Sequence, residues 1–109
     1  MSFVIPVKRL RETDALLAFY HPRPSYPFHV LLLPKKAVPS LKEFDAADTI
    51  FLTDLYSTVQ SLIEEFKLPA WRLIVNGGEY QDFPQLHFHL ISPSPRPPSR
   101  GERDVQRTG

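Results

Sequence analysis

The sequence predicts an α+β domain in which an antiparallel sheet of about five strands carries one long helix on one face, with a short helical turn beside it. Residues 85–91 begin with alternating polar and apolar residues, as a strand does when only one face is buried. Residues 28–33 are a nearly continuous apolar run, which is typical of a central strand. Between residues 52 and 66, apolar side chains recur at steps of three and four, which indicates an amphipathic helix.

The composition limits the class of protein. The 109 residues suffice for one domain, and the net charge of +1 gives no field that would attract nucleic acid or an acidic membrane. Cysteine is absent, which excludes disulfides, thiolate metal sites and a cysteine nucleophile, and favours the cytoplasm. No apolar run approaches the length of a membrane span, and the amino terminus lacks a signal-peptide pattern. We expect a cytoplasmic protein without nucleic-acid or membrane partners.

A hairpin and a connector are predicted first. Residues 3–11 and 15–20 form its two strands, with a turn at 12–14, and a proline places the first strand at an edge or at its own start. The segment 21–27 contains three prolines and cannot pair fully in a sheet. It should run extended into the strand 28–33, which the following proline ends.

Two helical segments are predicted next. Ser40 and Glu43 match a capping box and indicate a short helical turn. Asp45 or Asp48 should cap a longer helix, which Pro69 ends. Its buried stripe is predicted to consist of Leu52, Leu55, Tyr56, Val59, Leu62, Ile63 and Phe66.

The last two strands are expected to pair with each other. Residues 71–75 form one strand, the turn at 76–78 contains two glycines that tolerate positive φ, and the chain returns through a loop as the strand 85–91. Residues 93–109 are proline-rich and charged, so we expect an extended or disordered tail. The domain itself then comprises residues 1–92.

The candidate site lies on the polar face of the strand 85–91. Its leucines and its phenylalanine would pack beneath the helix, so Gln85, His87 and His89 would line the opposite face along a groove. Same-face neighbours on a strand are roughly 6.6 Å apart.

Three interpretations of this row remain open. The histidines could be merely solvated or hydrogen-bonded, or one of them could be a nucleophile or acid–base group held in a single tautomer. They could also bind a metal, for which His29 and either Asp82 or Glu79 are the nearby additional candidates. Because a third ligand is not evident, we expect neither a metal nor a cofactor.

The residues resemble a known family. Residues 85–91, Gln-Leu-His-Phe-His-Leu-Ile, look like the signature of the histidine triad (HIT) family of nucleotide hydrolases and transferases, in which three histidines alternate with apolar residues. Residues 28–36 look like the family's preceding strand, with its histidine and its Pro-Lys-Lys ending. Residues 71–78 look like the strand and asparagine-containing turn before the triad, and Gln81-Asp82 fits the approach loop. The resemblance spans residues 4–92 and implies a HIT-like fold and a homodimer.

The resemblance also implies a chemistry. The family's middle histidine, here His87, would attack the α-phosphorus of a nucleoside phosphoramidate, a phosphate ester or a dinucleoside polyphosphate. Water would then hydrolyse the nucleotidyl-histidine that forms. His89 would orient His87, with the His89 carbonyl as the candidate acceptor of the Nδ1 proton. His29 would support the row by hydrogen bonding, and Asn76 would contact phosphate or sugar.

Two further residues and two departures complete the expected site. Gln81 and Asp82 should bind the nucleotide, although a carboxylate at 82 repels phosphate unless its backbone N–H makes the contact. Gln85 replaces the first histidine of the triad and cannot shuttle a proton, a loss typically worth about 10²–10⁴ in rate. His21 stands where many members hold the ribose with an acidic residue. Two hypotheses follow: an enzyme, or a nucleotide-binding module with weak or no catalysis.

Overall fold

Residues 8–93 are described by a computed structural model, in which a five-stranded antiparallel sheet carries one long helix on one face. The strands are β1 (Arg11–Glu12), β2 (Leu16–Tyr20), β3 (Phe28–Pro34), β4 (Arg72–Val75) and β5 (Phe88–Ser92). They are ordered β1-β2-β3-β5-β4 in the sheet, and each neighbouring pair is antiparallel. The predicted fold class is confirmed. The predicted strand residues 3–7 and the tail from residue 94 lie outside the described residues.

The predicted hairpin forms, but its first strand is only Arg11–Glu12, so Glu12 pairs with Leu17 and does not lie in the turn. The turn is tied to the helix. The hydroxyl of Thr13 accepts hydrogen bonds from the backbone N–H groups of Ala15 and Leu16, at 3.1 and 3.0 Å. The same hydroxyl donates to the Asp54 carboxylate on the helix, at 2.6 Å. One threonine therefore closes the turn and fixes the hairpin against the helix.

The short turn is a 3-10 helix at Leu41–Glu43, and the helix α1 spans Thr49–Glu65. The Ser40 hydroxyl accepts from the N–H of Lys42 and donates to the Glu43 carboxylate, so the capping pair is in contact. Of the two predicted caps of α1, Asp48 makes the bond, because its carboxylate accepts from the N–H of Phe51 at 3.1 Å. No helix within residues 8–93 is long and apolar enough to cross a membrane.

The buried stripe of α1 is rotated from the predicted one. Tyr56 is 58% exposed, so its assignment to the core was wrong, whereas Phe51 is 1% exposed and was missed. Leu55, Val59 and Leu62 are buried as predicted. Apolar residues flank this stripe on both sides, so the spacing alone cannot tell which flank contacts the sheet.

The two faces of the sheet differ in what covers them. Leu86, Phe88 and Leu90 belong to the large core cluster that includes the buried residues of α1, as predicted. The opposite face, which we call the outer face, carries a smaller apolar cluster of Leu17, Phe19 and Leu33. The central strand β3 contributes to both clusters, which explains its nearly continuous apolar sequence. Its histidine and that of β5 project from the outer face.

The helix α1 ends in a Schellman arrangement. The N–H of Lys67 donates to the carbonyl of Glu64 at 3.3 Å, and the N–H of Leu68 donates to the carbonyl of Ile63 at 3.1 Å. Lys67 has a φ of +48°, in the left-handed region where a side chain is unfavourable. A glycine is the usual residue at this position.

Replacing Lys67 by glycine should therefore stabilise the fold. The substitution removes the steric cost of the left-handed conformation, part of which is offset by the greater freedom of glycine in the unfolded chain. We expect Lys67→Gly to raise the free energy of unfolding by up to about 1 kcal/mol. Urea denaturation would measure it, with Lys67→Ala as the control that keeps the strained Cβ. Equal stability of the two variants would contradict the account.

Candidate functional site

His29 and His89 meet on the outer face of the sheet. They lie on the paired strands β3 and β5, where Leu31 is the partner of His89 and Ile91 is the partner of His29. This diagonal relation brings Nε2 of His29 to 2.9 Å from Nδ1 of His89. The two imidazoles therefore share one hydrogen bond across the centre of the sheet.

A backbone group determines which nitrogen of each ring carries the proton. The N–H of Ser25 donates to Nδ1 of His29 at 3.1 Å, so the neutral ring must carry its proton on Nε2. Nε2 of His29 then donates to Nδ1 of His89, which places the proton of His89 on its Nε2. Burial is the main cause that lowers the pKa of His29 to about 4, with smaller contributions from His21 and His89, so the ring is neutral near pH 7. His89 therefore presents an N–H donor.

His21 joins these rings, which the sequence did not reveal. Its ring centroid lies 4.5 Å from that of His29 and 6.1 Å from that of His89. The N–H of Arg23 donates to Nδ1 of His21 at 2.9 Å, so its proton is on Nε2. Burial is the main cause that lowers the pKa of His21, with a smaller opposing effect of Asp82. Only the fold of the proline-rich connector could show this proximity.

His87 lies just before β5 and has the opposite tautomer. Its Nδ1 is 2.7 Å from the backbone carbonyl of Gln85, which can only accept, so Nδ1 carries the proton and Nε2 has a free lone pair. The expected acceptor, the carbonyl of His89, was wrong. The backbone before Phe88 is irregular, and this brings the Gln85 carbonyl to the ring. The ring centroids of His87 and His89 are 5.0 Å apart.

The side chain of Gln85 does not line the groove with His87 and His89, so that expectation was wrong. Gln85 is buried, and its carboxamide oxygen accepts from the N–H of Val38 at 3.0 Å while its NH₂ donates to the carbonyl of Lys36 at 3.2 Å. Because β5 begins only at Phe88, strand alternation does not extend back to residue 85. Gln85 therefore braces the loop after β3 and meets the site only through its carbonyl.

The other predicted nucleotide-binding residues differ in how closely they approach these rings. Oδ1 of Asp82 is 3.8 Å from Nε2 of His87, and the Asp82 side chain is 85% exposed. The Gln81 carboxamide instead donates to the carbonyls of Pro39 and Phe83, which braces the approach loop. Asn76 follows β4 and is half-buried, and within residues 8–93 it makes no hydrogen bond to the imidazoles. The binding roles of these residues remain predictions.

Three rings are close enough to hold a metal ion. His21, His29 and His89 each offer a nitrogen within 4.8 Å of the others. However, coordination through Nε2 of His21 or His29 would move a proton to Nδ1, where the N–H of Arg23 or Ser25 already points. The cluster is therefore arranged for hydrogen bonding, and a metal would have to displace two backbone donors.

The chain is similar to known proteins over most of its length. Residues 2–96 match the HIT domain family. A HIT-like protein of Azospirillum brasilense is 32% identical over 93 residues, covering 81% of this chain and 76% of that protein. The asymmetrical bis(5'-nucleosyl)-tetraphosphatase of Schizosaccharomyces pombe is 36% identical over 86 residues, covering 73% of this chain and 46% of that protein.

Two solved structures have the same fold. The histidine triad protein of Clostridium difficile superposes with a TM-score of 0.75 at 26% identity, covering 88% of this chain and 87% of that one. A HIT family hydrolase of Legionella pneumophila gives a TM-score of 0.73 at 26% identity, covering 84% and 85%.

Because the pKa of His29 is low, the free energy of unfolding should depend on pH. Between pH 6.5 and about 4 the unfolded chain protonates this histidine and the folded chain does not, so acid favours unfolding in that window. The free energy of unfolding should fall as the pH drops through it, and less steeply in His29→Gln, which cannot be protonated. Urea denaturation above pH 6.5 and near pH 4 would measure both slopes. Identical slopes would contradict the assignment.

Proposed function

This chain belongs to the HIT domain family, and from that premise and the geometry of its imidazoles we propose that it is a nucleotide-binding hydrolase or transferase with His87 as nucleophile. The substrate is a nucleoside phosphoramidate, a phosphate ester or a dinucleoside polyphosphate. The observation that carries this proposal is the 2.7 Å hydrogen bond from Nδ1 of His87 to the Gln85 carbonyl, which leaves the Nε2 lone pair available. The tetraphosphatase and hydrolase names of similar proteins support the reaction class.

The reaction begins with attack of Nε2 of His87 on the α-phosphorus. A bond from Nε2 to phosphorus forms while the bond to the leaving group breaks, and the electron pair leaves with that group. Water then attacks the same phosphorus and loses a proton to solvent, the N–P bond breaks, and its electron pair returns to Nε2. Transfer to another acceptor in place of water would make the protein a transferase.

His89 is the donor closest to this step. Its Nε2–H is fixed by the hydrogen bond that His29 makes to its Nδ1, so it can donate to a phosphoryl oxygen or to the leaving group without changing tautomer. His29 acts as a positioning residue because it contacts His89 and is itself held by the N–H of Ser25.

The nucleotide would be held at the edge of this cluster. Nε2–H of His21 can donate to a sugar hydroxyl, and Asn76 can contact phosphate or sugar from the end of β4. Gln81 would act by shaping the loop that carries Asp82. We propose further that the protein is a homodimer, since β4 pairs with β5 alone among the described strands and leaves an edge for a second copy. We also propose that it is cytoplasmic, in keeping with the absence of cysteine.

Replacing His87 by alanine should abolish the covalent step. Brief incubation of the natural protein with adenosine phosphoramidate should yield a nucleotidyl adduct on His87 by mass spectrometry, and His87→Ala should give neither adduct nor turnover. His89→Ala serves as the comparison, because it should slow turnover by about 10²–10⁴ while the nucleophile remains. Equal turnover by the natural protein and His87→Ala would sink the proposal.

The second candidate function is a nucleotide-binding module with weak catalysis, favoured by Gln85 and by the carboxylate beside His87. Calorimetry with AMP or GMP tests nucleotide binding, which both functions require. No heat at millimolar ligand would remove the binding module, and binding without any adduct would favour it over the enzyme.

The substitution Gln85→His should not raise turnover. The new side chain would occupy the buried position between Val38 and Lys36, where loss of the carboxamide leaves a buried N–H unpaired and costs about 1–3 kcal/mol. We expect lower stability in urea and no rise in turnover. A gain in turnover at unchanged stability would show that residue 85 reaches the groove.

A further inference from the structure

We propose that Asp82 makes this site select its substrate by charge, so that it takes a nucleoside phosphoramidate or another singly charged phosphoryl compound in preference to a dinucleoside polyphosphate. This choice within the proposed substrates rests on the proposed function. It identifies Asp82 as a specificity-determining residue that disfavours phosphate charge near His87.

The position of Asp82 beside the reactive nitrogen is the first ground. Nδ1 of His87 is committed to the Gln85 carbonyl, so any electrophile must approach Nε2. Oδ1 of Asp82 lies 3.8 Å from that Nε2, and its side chain is 85% exposed whereas that of His87 is 10% exposed. A substrate therefore passes the carboxylate on its way from solvent to the nucleophile.

The second ground is that the imidazoles around His87 bring no positive charge at neutral pH. Burial, as the main cause, lowers the pKa values of His21, His29 and His89, so these rings donate hydrogen bonds without bringing positive charge at neutral pH. The Asp82 carboxylate acts in the opposite direction on the pKa values of His21 and His89, which shows that its charge lies close to both rings. Arg72 shares the outer face but lies exposed on the edge strand β4.

The direction of attack determines which part of the substrate meets the carboxylate. In an in-line displacement the leaving group departs opposite the nucleophile, so a group beside Nε2 faces the non-bridging phosphoryl oxygens. Asp82 therefore faces the attacked phosphoryl group, whose single negative charge both substrates carry, while the further phosphates of a polyphosphate lie on the leaving side. A charge pair about 4 Å apart in water-like surroundings is worth about a fivefold change in binding, and charges within a Debye length of about 10 Å add to it.

Reaction of a phosphoramidate needs no additional cation. Nε2 of His87 forms its bond to phosphorus as the P–N bond to the leaving amine breaks, and the electron pair goes to that nitrogen. The amine takes up a proton from solvent, while the neutral His89 contributes a hydrogen bond from its Nε2–H. A polyphosphate carries several further negative charges on its leaving side, where the nearer ones still lie within a Debye length of the carboxylate. The carboxylate of Asp82 therefore repels the singly charged phosphoramidate less than it repels the polyphosphate.

The test compares adenosine phosphoramidate with diadenosine tetraphosphate at low ionic strength in a chelator, using the natural protein, Asp82→Asn and Glu79→Gln. Glu79 is an exposed acidic residue of the same loop, so it controls for loss of net charge away from His87. We expect kcat/KM for the tetraphosphate to rise about tenfold in Asp82→Asn, and for the phosphoramidate about fivefold or less. Glu79→Gln should leave both kcat/KM values unchanged. Added salt should reduce the ratio of kcat/KM for the phosphoramidate to that for the tetraphosphate in the natural protein.

The remaining outcomes distinguish failure of the role of Asp82 from failure of the proposed enzyme activity. An equal effect of Asp82→Asn on both substrates, or the same change in Glu79→Gln, overturns the role of Asp82 while the enzyme assignment stands. If no protein turns over either substrate or forms an adduct, the proposed enzyme fails. In that case calorimetry with AMP and a non-hydrolysable tetraphosphate analogue decides, and an unchanged affinity ratio in Asp82→Asn overturns the inference.

Discussion

The antiparallel pairing of β3 with β5 is the constraint on which the site depends. In the observed register, Leu90 faces the helix and His89 faces away from it, next to His29. A slip of one residue would exchange the two faces of β5, placing an imidazole in the core and a leucine in the groove. The helix α1 opposes such a slip, since its buried side chains and Leu90 share one cluster. The packing of the core thus determines which residues are available for chemistry.

Backbone groups determine the protonation pattern of the imidazoles. The carbonyl of Gln85 requires a proton on Nδ1 of His87, and the N–H groups of Ser25 and Arg23 require that His29 and His21 carry theirs on Nε2. The result is one ring with a free lone pair beside rings that donate. A carbonyl is supplied by any residue, which explains how glutamine at position 85 is compatible with a correctly held His87. The side chain of residue 85 lies outside the groove, and its backbone carbonyl still determines the tautomer of His87.

Most of the fold could be predicted because it follows from local periodicity. The hairpin, the apolar strand β3 and the helix α1 formed where alternation, apolar runs and steps of three and four placed them. The predictions failed where a choice depended on contact between elements. Phe51 replaced Tyr56 in the core because the sheet contacts one flank of the helix, and Gln85 turned inward because β5 starts three residues later than its sequence pattern indicates.

The motifs of the sequence indicated the family. The periodicity of the sequence determined the class of fold and placed His29 and His89 on neighbouring strands. It could do so because strand and helix periods are local properties of the chain. The tertiary structure alone decided that His21 joins the cluster, that the Gln85 carbonyl holds His87, and that Asp82 stands beside Nε2. These relations join irregular segments to the strands, and in such segments no repeating backbone geometry links residue spacing to side-chain direction.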